Sequence, residues 1–108
     1  MADFGDVLGS IVKDGANYAK NEIVDLVNSA KQDAERFVQN LGAKLEQYVR
    51  ELASGDLTQM EFGNLVKGLA DLSAIKAAQI DAQAKVRAEK IADGIQNLVV
   101  DSLLKVLK

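Results

Sequence analysis

Carboxylates are the only abundant side chains in this sequence that could do acid–base or metal chemistry. The sequence contains no histidine and no cysteine, so Ser–His and Cys–His nucleophile arrangements are impossible. A di-iron bundle would need Glu-x-x-His motifs, and structural zinc would lack its preferred nitrogen and sulfur ligands. We therefore expect no catalytic, cofactor-binding or metal-binding residues and no small-molecule substrate. The glutamates that stand singly on polar positions, which we expect to be solvated, are Glu35, Glu46, Glu51, Glu61 and Glu89.

The charge distribution disfavours a nucleic-acid partner. The formal net charge is −3, from 13 basic and 16 acidic residues. The lysines and arginines are scattered along the chain and form no basic cluster of the kind that nucleic-acid binding needs. The few aromatic residues are too sparse for a base-stacking platform.

One segment in the middle of the chain carries the signals of a tight turn between two helices. Gly55 suits the left-handed position just past a helix C-terminus. Thr58 and Glu61 have the T-x-x-E spacing of a capping box, and Leu57 and Phe62 have that of a hydrophobic staple. Because the chain contains no proline, long helices can flank this turn.

An eleven-residue repeat runs through the half before the turn. Its first, fourth, fifth and eighth positions are apolar or small, and the average spacing of about 3.67 residues is that of a nearly straight helix. The second half follows the same spacing less strictly, with small residues in its middle and large ones at its ends. In the first frame these positions are Met1, Phe4, Gly5 and Leu8. The later frames begin at Val12, Ile23, Ala34 and Leu45.

These patterns predict an all-α fold. We expect residues 1–108 to form one domain, an antiparallel hairpin of two long helices with hendecad periodicity. Helix 1 should span about 3–54, the turn 55–58, and helix 2 about 59–107. Each helix would be about 75 Å long at 1.5 Å per residue. The residues that we expect to be most buried are Leu26, Phe37, Leu41, Leu45, Tyr48, Leu52, Phe62, Leu69, Ile80, Ile91, Ile95 and Val99.

Glycines inside the predicted helices leave an alternative open. Gly15 could end one helix, with Asn17 starting another, but the repeat continues through it in frame and favours a continuous or kinked helix. Other helical glycines are either tolerated or mark close packing against another chain; they are Gly42, Gly63, Gly68 and Gly94.

An antiparallel hairpin also predicts which charges face each other. Residues whose numbers sum to 111 or 112 should be opposite one another across the two helices. The pairs of opposite charge that satisfy this condition are Asp6–Lys105, Glu22–Lys90, Asp25–Arg87, Lys31–Asp81 and Arg50–Glu61.

A second apolar flank on helix 2 predicts self-association. One partner helix cannot cover both flanks, and exposed apolar area of this kind usually marks an interface. We therefore expect a non-catalytic structural or interaction protein that forms a homo-oligomer, as a four-helix bundle or a larger assembly. The predicted interface residues are Leu65, Leu72, Ile75, Val86, Leu98, Leu103 and Leu107.

The apolar ends of the chain support an alternative function. An antiparallel hairpin brings residues 4–12 and 95–107 together, and either segment alone resembles an amphipathic surface-seeking helix. A peripheral membrane or lipid-surface protein is therefore the second hypothesis, although acidic residues on the polar faces favour core or subunit contacts. We recognise no signal peptide and no transmembrane segment, and we expect a cytoplasmic location.

Overall fold

The computed structural model describes residues 3–108, and in this range the fold is all-helical, as the sequence predicts. Its α-helices are α1 (Phe4–Ile11), α2 (Asn17–Lys31), α3 (Arg36–Ser54), α4 (Gln59–Ala77) and α5 (Ala82–Gly94). A π-helical segment, Ile95–Val100, continues α5 directly, and a 3₁₀ turn, Leu103–Lys105, follows. Met1, the first position of the repeat, lies outside the described residues.

The prediction of two long helices is wrong in length, because each predicted helix is divided. The first is interrupted at residues 12–16 and 32–35, and the second at residues 78–81. The chain folds back at these points, so that α2 packs extensively on α3 and α4 on α5. The molecule measures 40 × 24 × 23 Å, which excludes a rod of about 75 Å.

The break between α1 and α2 lies at Gly15. This glycine has φ of +91°, a left-handed conformation that side chains disfavour, so the helix cannot continue through it. Of the two possibilities that the sequence leaves open here, the break is the one that occurs. Val12, just past α1, is extended and buried.

At each of the other two breaks an aspartate side chain accepts a hydrogen bond from the backbone. Asp33 Oδ1 accepts a hydrogen bond from the Glu35 backbone N–H at 2.8 Å, which turns the chain between α2 and α3. Asp81 Oδ1 accepts one from the Gln83 backbone N–H at 3.0 Å and caps α5. Neither break contains glycine or proline.

The turn between α3 and α4 agrees with its prediction. α3 ends at Ser54, and Gly55 has φ of +86°. The Glu61 backbone N–H donates to Thr58 Oγ1 at 3.1 Å, and the Thr58 backbone N–H donates to Glu61 Oε1 at 2.9 Å. This reciprocal capping box begins α4 at Gln59.

The core follows the apolar positions of the sequence through all of the breaks. Of the residues predicted to be most buried, seven are buried, namely Leu41, Leu45, Phe62, Leu69, Ile91, Ile95 and Val99. The other five are partly buried and pack against the core, namely Leu26, Phe37, Tyr48, Leu52 and Ile80. The pattern therefore identifies which side of each helix faces inward, although it does not show where the helix axis bends.

The segment after α1 meets the C-terminal segment, as predicted, in a short antiparallel contact that we call the terminal clasp (residues 11–13 and 106–108). The Lys13 backbone N–H donates to the Val106 carbonyl at 2.7 Å, and the Lys108 N–H donates to the Ile11 carbonyl at 3.0 Å. The Gln59 side chain, at the start of α4, donates to the Lys108 carbonyl. The clasp holds the last residues of the chain against the segment that follows α1, beside the α3–α4 turn.

Candidate interaction surface

The residues predicted to form an interface separate into two groups in the structure. Leu65 is 37% exposed, Leu72 45%, Ile75 62% and Val86 68%, so these four are available at the surface. Leu98 is partly buried and packs against the core. Leu103 and Leu107 are buried.

The assignment of Leu103 and Leu107 to an interface is therefore wrong for the folded chain. The predicted helix 2 does not continue straight to its end. The π-helical segment, in which the Asp101 N–H bonds to the Gln96 carbonyl at 2.9 Å, leads into the 3₁₀ turn and the clasp. This path places both leucines inside the molecule, where the chain itself covers them.

The exposed aliphatic residues of α4 form one line along the helix. Leu65, Leu72 and Ile75 are separated by seven and three residues, the spacing of one heptad stripe. Gly68 belongs to the same stripe, and a Cβ added to it would meet nothing within 4 Å. We call Leu65, Gly68, Leu72 and Ile75 the α4 face. It forms a flank beside the buried side of the helix, which carries Phe62, Val66, Leu69 and Ser73.

Three further apolar side chains are exposed away from this stripe. Val86 lies on α5, on the side opposite to its buried residues Ala84, Ala88 and Ile91. Tyr18 on α2 and Met60 on α4 are the most exposed of the large apolar residues. The sequence pattern did not single out Tyr18 or Met60 for the interface. Single exposed apolar side chains are common in proteins and indicate no site by themselves.

The helical glycines differ in what surrounds them. A Cβ on Gly42 would lie 2.8 Å from the Ala30 Cβ and 3.1 Å from the Lys31 backbone nitrogen. A Cβ on Gly94 would lie 2.6 Å from Leu26 Cδ1. These two glycines therefore permit close packing within the chain, of α3 on α2 and of α5 on α2. Gly68 has no such neighbour in the folded chain.

One ion pair joins the α2–α3 connection to α5. Arg87 Nε donates to Asp33 Oδ2 at 2.8 Å, and the Asp33 side chain is 8% exposed. The hydrogen bond from Arg87 holds the pKa of Asp33 below its ordinary value, and the backbone N–H of Glu35 acts in the same direction. The pair thus fixes the bend between α2 and α3 against the second half of the chain.

A second group of charges joins α2 to α3. Lys31 Nζ lies 2.6 Å from Glu46 Oε1, and Arg50 Nε lies 2.9 Å from Glu46 Oε2. These contacts lower the pKa of Glu46, and the hydrogen bond from Lys31 has the largest effect. The hairpin register predicted Asp81 as the partner of Lys31, and that prediction is wrong because the helices bend between these two residues.

A groove of about 400 Å³ lies between α2 and α5. Its apolar floor includes Leu26 and Ile91, with Glu22 and Asp25 on one wall and Lys90 on the other. These charges come from two of the predicted pairs, so the two helices do face each other there. No salt bridge joins them in the described part of the chain.

The carboxylates of the described residues are dispersed over the surface. Between residues 3 and 108 no group of three or more carboxylates converges in a way that could hold a metal ion. Within the same range every buried side-chain nitrogen or oxygen has a hydrogen-bond partner; Ser73, for example, donates to the Leu69 carbonyl at 2.6 Å. No helix in residues 3–108 combines the length and the apolarity needed to cross a membrane.

Comparison with protein-family models, with curated proteins and with solved structures gave no match to this chain.

Proposed function

We propose that this protein is a non-catalytic interaction protein that associates with itself through the α4 face. The observation that carries the proposal is the line of Leu65, Leu72 and Ile75, each more than one third exposed, beside a glycine with open space above it. The bends of the chain cover Leu103 and Leu107, and the exposed Tyr18, Met60 and Val86 stand apart from one another. The α4 face is the aligned apolar surface that the bends leave uncovered in the described chain.

Burial provides the driving force for association. Full burial of a leucine or isoleucine side chain stabilises by about 1.5–3 kcal/mol, and these three are already partly covered. A second copy is a suitable cover because it presents the same face, and isologous pairing is the commonest arrangement of homo-oligomers. Pairing two α4 helices, each already packed on α5, would give the four-helix arrangement that the sequence suggests.

The lipid-surface alternative has less support. It relies on the apolar terminal segments, but Phe4, Leu8, Ile95 and Val99 are all in the core. Binding of these residues to a membrane surface would require the terminal clasp to open and the core to be exposed. The α4 face requires no such rearrangement.

The test is sedimentation velocity over a concentration series, with and without liposomes. We expect the wild-type protein to associate as concentration rises and Leu72→Glu to remain monomeric. Val86→Glu is the matched control, because it places the same charge at an exposed aliphatic position outside the α4 face. A wild-type protein that stays monomeric throughout would refute the proposal. Association lost in Val86→Glu and kept in Leu72→Glu would place the interface on α5.

A further inference from the structure

The α4 face has a spacing that matches itself when the helix direction is reversed. Its members are Leu65, Gly68, Leu72 and Ile75, separated by 3, 4 and 3 residues. This is the a/d alternation of a coiled-coil seam. In an antiparallel pair, residues whose numbers sum to 140 then lie at the same level.

Side-chain sizes match in this register. Leu65 is at the level of the partner's Ile75, and Gly68 is at the level of the partner's Leu72. Since a Cβ on Gly68 would meet nothing within 4 Å, the space above it is open to a leucine from outside.

A parallel pair would match less well. It would place the two copies of Gly68 opposite each other, leaving a void where the antiparallel pair has a leucine. Its advantage would be an attraction between Asp71 and the partner's Lys76 at the rim. An exposed ion pair contributes less than the burial of one leucine side chain, so packing decides the direction.

We infer that two copies of this chain pair through an antiparallel α4 seam in which Leu72 of each copy lies over Gly68 of the other. The inference rests on the proposed function. A helix of 19 residues is about 28 Å long. A seam along one such helix buries less than the ~1,200 Å² typical of stable complexes, so the dimer is weak and forms at high protein concentration.

Cross-linking of single-cysteine variants tests the direction of pairing, because the chain has no cysteine of its own. Asn64 and Ala78 flank the α4 face at its two ends, and both are exposed. In the antiparallel seam Asn64 of one copy lies near Ala78 of the other. Along the helix axis the two copies of Asn64 are then about 18 Å apart and the two copies of Ala78 about 24 Å apart, at 1.5 Å per residue.

We expect a short bismaleimide to cross-link a mixture of Asn64→Cys and Ala78→Cys, and to give little product with either variant alone. Efficient product from each variant alone, with none between the two, would show a parallel pair and overturn the inference. Dimers in sedimentation without any of these products would place the interface elsewhere. Failure to dimerise at all would refute the proposed function as well. Far-UV circular dichroism of each variant confirms that it is folded.

Asp71→Asn gives a second, independent measure of direction. The antiparallel seam brings the two copies of Asp71 to the same side near its centre, so removing the like charges should tighten association about two-fold. A parallel seam would lose the attraction to Lys76, and association would weaken instead. Asp71 is exposed, so the substitution does not disturb the core.

Discussion

Replacing Gly42 with alanine should destabilise the protein, although alanine is the better helix former. The gain in helix propensity is about 1 kcal/mol. Against it, the new Cβ would lie 2.8 Å from the Ala30 Cβ and 3.1 Å from the Lys31 backbone nitrogen. Because one of these contacts is with backbone, α2 itself must move, and overpacking of this kind costs about 1–3 kcal/mol. The expected net loss is therefore about 0–2 kcal/mol.

Gly68→Ala is the matched control, since the new Cβ meets nothing within 4 Å and only the propensity gain remains. We expect it to stabilise the monomer by about 1 kcal/mol, so that the two variants differ by about 1–3 kcal/mol. The assay is urea denaturation followed by far-UV circular dichroism, at a concentration too low for association. Equal stabilisation in both variants would show that α2 and α3 do not approach as closely as the structure indicates. At high concentration Gly68→Ala should also weaken association, because it fills the space assigned to Leu72 of the partner.

Three further predictions concern the cap, the ion pairs and the core. Thr58→Ala should lower the free energy of unfolding by about 1 kcal/mol, measured by urea denaturation, because one side of the capping box is lost. The pKa values of Asp33 and Glu46 are lowered in the folded state, so their contribution to stability is present at neutral pH and lost as pH falls through those values. Thermal stability should therefore decrease below about pH 4. The decrease should be smaller in a variant that carries both Asp33→Asn and Glu46→Gln. Identical pH profiles of thermal stability in the two proteins would contradict these ion pairs. Leu103→Ala should lower the free energy of unfolding by about 2–5 kcal/mol, because Leu103 is fully buried. Ile75→Ala should change the stability of the monomer by less than about 0.5 kcal/mol. Comparable losses in the two variants would show that Ile75 is already covered.

The parts of the fold that local chemistry determines were predictable from the sequence. Gly55, Thr58 and Glu61 specify the α3–α4 turn within a few residues, and the structure has that turn where the pattern places it. The inward side of each helix also follows from apolar spacing, because burial depends on the direction of a side chain and not on the continuity of the helix.

The bends were not predictable in the same way. The apolar repeat continues in frame through Asp33 and Asp81, since the helices on either side of each bend keep facing the same core. A single aspartate is a weak signal without a glycine, a proline or a capping box. Gly15 did indicate a possible break, but the repeat that continues through it favoured an uninterrupted helix.

The candidate surface depended directly on this error. The interface prediction treated Leu103 and Leu107 as part of the uncovered flank of an unbent helix 2. The π-helical segment and the clasp turn the chain inward after Gly94, and that path results from tertiary packing that no local pattern encodes. Leu65, Leu72 and Ile75 do lie at the surface, and their helix follows directly after the one turn that the sequence specifies well.

A dilution series of two-dimensional ¹H–¹⁵N NMR spectra tests the central proposal most directly, because it reports association and its location together. We predict that amide shifts change with protein concentration along α4, most strongly at Leu65, Gly68, Leu72 and Ile75, while Val86 on α5 stays constant. Spectra that do not change with concentration, or changes confined to the terminal clasp, would contradict self-association through the α4 face.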